Sequence, residues 1–71
     1  MRYEIAQEFR ARIDSLIYET PSLRGSYKVE MFQKTTGEYG IIVEINYHWY
    51  EFHFNPNCSD DLIISWIETE R

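Results

Sequence analysis

Apolar residues in the first quarter of the chain recur at helical steps. Ile5, Phe9, Ile13, Leu16 and Ile17 are spaced by four, four, three and one positions, which gathers them on one face of a helix over residues 2–19. Glu8 precedes Arg12 by four residues, the favoured orientation for an ion pair within a helix. Pro21 ends this segment, because the residue before a proline, here Thr20, is pushed out of the α region. Ser22 to Ser26 then reads as a loop, with Gly25 as its flexible point.

After that loop the period changes to two, the signature of strands. Tyr27 to Lys34 puts Tyr27, Val29 and Met31 on one face and Lys28, Glu30 and Phe32 on the other. Thr35-Thr36-Gly37-Glu38 is a hairpin turn with Gly37 free to take positive φ. Tyr39 to Asn46 places Ile41, Val43 and Ile45 opposite Ile42, Glu44 and Asn46. A turn near Asn46-Tyr47-His48 leads to Trp49–Phe54, where Tyr50, Phe52 and Phe54 oppose Trp49, Glu51 and His53. Asn55-Pro56-Asn57 breaks the run. Ser59 is a good N-cap, Asp60 and Asp61 suit the positive end of a helix dipole, and Leu62, Ile63, Trp66 and Ile67 form one helical face.

The order helix, strand, strand, strand, helix predicts a two-layer α+β fold, α-β-β-β-α. Short turns make the strands an antiparallel meander. Two apolar helical faces and one apolar sheet face must meet, so both helices are expected on the same side of the sheet. The expected core is Ile5, Phe9, Ile13, Leu16, Ile17, Val29, Met31, Ile41, Val43, Ile45, Tyr50, Phe52, Phe54, Leu62, Ile63, Trp66 and Ile67. With 71 residues, a single domain over 1–71 is all the chain can support as an independently packed core.

Charge is distributed unevenly. The formal net charge is −5, which argues against direct nucleic-acid binding. From Thr35 to Glu70 there is no Lys or Arg, whereas Glu38, Glu44, Glu51, Asp60, Asp61, Glu68 and Glu70 all fall there. A one-signed surface steers a basic partner towards itself, and it also serves solubility. No apolar run approaches a membrane span, and Met1-Arg2-Tyr3-Glu4 lacks the apolar stretch of a signal peptide, so a cytoplasmic protein is expected.

Candidate chemistry is sparse. His48, His53 and Cys58 are five residues apart, unlike the close pairs of a zinc site, so no metal or cofactor is expected. Cys58 before a helix start, with His53 nearby, has the ingredients of an activated thiol but no third orienting group. Asp60 and Asp61 are adjacent, so on a helix they point about 100° apart rather than towards each other. No glycine-rich phosphate loop, nucleophile elbow or dinucleotide fingerprint is present, and catalysis is not expected.

With both helices on one side, the other sheet face is open. It should carry Lys28, Glu30, Phe32, Ile42, Glu44, Asn46, Trp49, Glu51 and His53. Carboxylates mixed with aromatic and aliphatic anchors suit an interface, though a solvated face or a homodimer stacking two such sheets uses the same residues. The element order, small size and run of acids from Glu38 to Glu70 resemble small phage anti-CRISPR proteins. The resemblance implies an inhibitor that blocks a Cas nuclease, or another basic nucleic-acid enzyme, by placing carboxylates where DNA binds. In many of those proteins the acids sit on loops and strand ends; here Glu30, Glu44 and Glu51 fall within strands. The candidate partner-binding set is Glu30, Phe32, Ile42, Glu44, Trp49 and Glu51, with Glu38, Asp60 and Asp61 at its rim. The alternatives are a cytoplasmic housekeeping interaction domain, a homodimer using the open face, or an immunity- or antitoxin-type inhibitor.

Overall fold

A computed structural model describes residues 1–23, 25 and 27–70. Arg24 and Ser26 of the expected loop, and Arg71, lie outside the described residues. The elements are α1 (Tyr3–Glu19), a short 3-10 turn (Pro21–Leu23), β1 (Tyr27–Gln33), β2 (Tyr39–Ile45), β3 (His48–Phe52) and α2 (Asp60–Glu70). The strands form one antiparallel sheet in the order β1-β2-β3. The α+β meander expected from the sequence is the fold adopted.

The placement of both helices is visible at one side chain. Phe52 of β3 meets the Phe9 ring of α1 edge-on at 5.4 Å and the Trp66 ring of α2 edge-on at 4.9 Å. One ring points to one sheet face, so both helices cover that face. Around it, Ala6, Phe9, Ile13 and Ile17 of α1, Val29, Ile41, Val43, Ile45 and Phe52 of the sheet, and Ile63 and Ile67 of α2 are buried. Leu16, Met31, Tyr50, Phe54 and Trp66 pack partly buried against them.

Both turns are set by backbone conformation. In the first hairpin the Gly37 amide donates to the Lys34 carbonyl (2.9 Å) and the Lys34 amide to the Glu38 carbonyl (2.7 Å). Gly37 has φ +91°, so its missing Cβ is what the turn requires. In the second, Asn46 (φ 52°) and Tyr47 (φ 71°) form a two-residue turn, with Ile45 and His48 paired on either side. Two consecutive positive φ values match the twist of the flanking strands. Asn46 therefore belongs to the turn and not to the outer sheet face, and β3 starts at His48 and ends at Phe52 rather than running from Trp49 to Phe54.

Several core assignments change. Ile5 is 43% exposed and Leu62 40%, so neither is in the core. Ala6 takes the place expected of Ile5, because the buried stripe of α1 runs through Ala6, Phe9, Ile13 and Ile17. Leu23, expected within a polar loop, is fully buried by the 3-10 turn. Arg12 turns its guanidinium to Asp60, 48 positions away, and not to Glu8. Ser59 caps α2 as expected, accepting a hydrogen bond from the Leu62 amide (3.2 Å). Thr20 is extended, as Pro21 requires.

Truncating the buried stripe should cost far more than truncating its edge. Ile13→Ala is expected to lower unfolding free energy by about 2–5 kcal/mol, and Ile5→Ala by less than about 1 kcal/mol, measured by urea denaturation. Equal losses would contradict this placement of the core.

Candidate functional site

The strand register assigns the uncovered face. Lys28 lies opposite Glu44, which lies opposite Trp49; Glu30 lies opposite Ile42, which lies opposite Glu51; Phe32 lies opposite Gly40. Side chains of directly opposed residues share a face, and these alternate with the buried set. Glu30, Phe32, Ile42, Glu44, Trp49 and Glu51 are therefore brought together on the side away from the helices. Ile42 stands at the centre, between Glu30 and Glu51. Glu44 is the diagonal neighbour of both, at a spacing of roughly 7–8 Å between residues.

Exposure differs across this face. Glu30 and Trp49 are exposed, Trp49 by 50%, while Phe32, Ile42, Glu44 and Glu51 are half-buried among their neighbours. The Phe32 ring lies over Gly40: a Cβ added at Gly40 would meet ring carbons at 2.7 and 2.8 Å. An edge-strand aromatic thus fills the space left by a central-strand glycine, with the Lys34 side chain beside it. His53, just past β3 and largely exposed, places Nδ1 3.0 Å from Oε2 of Glu51.

The three expected rim residues lie in two different places. The Glu38 carboxylate lies on the first hairpin, 3.9 Å from the Met1 ammonium, whose nitrogen donates to the Tyr39 carbonyl (2.9 Å). Asp60 and Asp61 open α2 and belong to the helical layer. Asp60 is also already engaged: it accepts from Nε (2.8 Å) and Nη2 (2.6 Å) of Arg12. The same guanidinium donates to the carbonyls of Pro56 (2.9 Å) and Cys58 (2.6 Å) and lies 5.8 Å from the centre of the Phe9 ring.

Arg12 is thus the residue that sequence reasoning missed. It clamps the segment between β3 and α2 to α1 and so fixes where α2 begins. Its only local signal was a position beside the buried stripe of a helix, with partners far along the chain. Cys58 contributes its carbonyl to this clamp and is half-buried. Among the described residues, no group of three or more His, Cys, Asp or Glu side chains is placed to hold a metal ion, and no helix is long and apolar enough to cross a membrane.

A lysine cannot reproduce the planar fork of Arg12. Arg12→Lys is expected to destabilise the fold by about 1–2 kcal/mol, discounted for the partial exposure of the pair. It should also speed amide exchange at Cys58 and Ile63, whose amides bond within this connection. Unchanged exchange there would show that the segment holds itself without the clamp.

No protein-family model matches this chain, and neither curated proteins nor solved structures yield a match, so its function has to be read from the geometry of this face.

Proposed function

We propose that this chain is a non-catalytic binding domain whose open sheet face docks on a basic protein surface. In its specific form, the partner is a nucleic-acid enzyme, and docking occupies the site where that enzyme holds phosphates. The anti-CRISPR resemblance makes a Cas nuclease one instance of such a partner. The observation that carries the reading is the grouping of Glu30, Glu44 and Glu51 around Ile42, with Lys28 and Lys34 on the β1 side of the same face.

Charge and shape both favour this occupant over others. Phosphate-binding surfaces present Arg and Lys, and a carboxylate can accept a forked pair of hydrogen bonds from Arg. Trp49, Ile42 and Phe32 supply contacts that do not depend on charge, the usual anchors of an interface. Nucleic acid itself would be repelled by three carboxylates. A face-to-face pair of copies would bring six such groups together against two lysines from each copy, and burying the excess negative charge is costly. A basic partner removes that cost and gains rate by steering.

Wild type and Glu44→Lys/Glu51→Lys would be immobilised and exposed to lysate at ~50 mM and ~500 mM salt, levels on either side of effective screening. The expected result is a basic nucleic-acid enzyme retained by wild type at low salt, released at high salt or by added DNA, and not retained by the folded double variant. The purified enzyme should lose activity when the wild-type chain is added. Retention by the double variant, or release that ignores both salt and DNA, would overturn the reading.

A further inference from the structure

The free edge of β1 is a second surface, distinct from the open face. Lys34 donates its amide to the Glu38 carbonyl, so Lys34, Phe32, Glu30 and Lys28 turn their backbone groups towards β2. On β2, the Tyr39 amide donates away from β1, to the carbonyl of Met1, as this alternation requires. Val29, Met31 and Gln33 must then turn their amides and carbonyls away from β2. β1 is an outer strand of the sheet, so among the described residues no strand receives them. A strand that offers a row of such groups is a template for pairing.

We propose that this edge pairs with the same edge of a second copy, antiparallel and centred on Val29, to form a continuous six-stranded sheet. The sequence of β1 is self-complementary in that register. Val29 opposes its own copy as a hydrogen-bonded pair, since its backbone groups face outwards. Lys28 falls opposite Glu30 of the second copy, and Glu30 opposite Lys28, both as non-hydrogen-bonded pairs in which side chains come closest. Tyr27 falls opposite Met31 on the helical side. Centring on Glu30 would set that carboxylate against its own copy, and centring on Met31 would set Lys28 against Lys34, so charge selects the Val29-centred register among the three central ones.

The β3 edge does not offer this. β3 is shorter, five residues against seven, and only Trp49 and Glu51 turn their backbone groups outwards, where β1 offers Val29, Met31 and Gln33. Two-fold pairing through β1 is closed, so it ends at a dimer. Both helical layers lie on the same side of the joined sheet, and both open faces stay uncovered. The pairing takes up Lys28 and Glu30 at the border of the open face and leaves Ile42, Glu44, Trp49 and Glu51 to what docks there.

Sedimentation across a concentration series tests it. Wild type should dimerise reversibly. Lys28→Glu and Glu30→Lys should each weaken self-association at least ~tenfold, because each sets like charges opposite one another across the two-fold axis. An equimolar mixture of the two variants should associate again, as a hybrid pair with opposite charges restored. Amide exchange on wild type reads the same edge without any variant: Val29 and Met31 should gain protection as concentration rises. A monomer at every concentration, a dimer indifferent to both variants, or a dimer with unprotected Val29 and Met31 amides would overturn the proposal. So would protection that appears only with a foreign peptide.

Discussion

Phe52 receives the Phe9 ring of α1 and the Trp66 ring of α2 on the same side of a three-stranded sheet. Everything else about the molecule depends on that shared contact. A chain of 71 residues has enough apolar side chains to cover one sheet face well and none to spare for the other. Ile13, Ile41, Val43, Ile45, Ile63 and Ile67 are fully or almost fully buried on the covered side. The connection after β3 must carry the chain back over that side, and Arg12 secures it by bonding Asp60 and two carbonyls at once. Much of this clamp is partly exposed, so its weight lies less in Coulomb energy than in satisfying backbone acceptors at one geometry.

The open face is the other side of the same constraint. It must remain soluble while carrying Ile42, Phe32 and Trp49, and Glu30, Glu44 and Glu51 among them provide the charge that does this. Solubility alone would be met equally well by a mixture of signs. Here the carboxylates outnumber the lysines and stand around an apolar centre, with Lys28 and Lys34 on the β1 side. That combination gives the face a preference among partners. It discourages nucleic acid and a stacked second copy, and it favours a surface lined by Arg and Lys.

Much of this was legible in the chain because the relevant signals are local. Period-two alternation assigned Glu30, Ile42, Glu44, Trp49 and Glu51 to one face, and the proline and glycine positions bounded most elements. What escaped depended on distance or on backbone geometry. Leu23 is a lone apolar residue in a polar stretch, and only the 3-10 turn shows why it is buried. Asn46 continues the alternation of β2, yet the two-residue turn claims it through positive φ. Ile5 and Ala6 are neighbours on the edge of one helical face, and hydropathy favours the wrong one. Asp60 reads equally as a helix-start acid and as a free rim charge until Arg12 is seen beside it.

The most direct test is a titration of the isotope-labelled chain with an arginine-rich peptide, followed by amide and indole NMR shifts at ~50 mM and ~500 mM salt. The expected result is a set of shifts centred on Ile42, Glu44, Trp49 and Glu51 at low salt that largely disappears at high salt. Shifts confined to the helical layer around Asp14 and Glu19, or shifts on the open face that ignore salt, would contradict an acidic docking face.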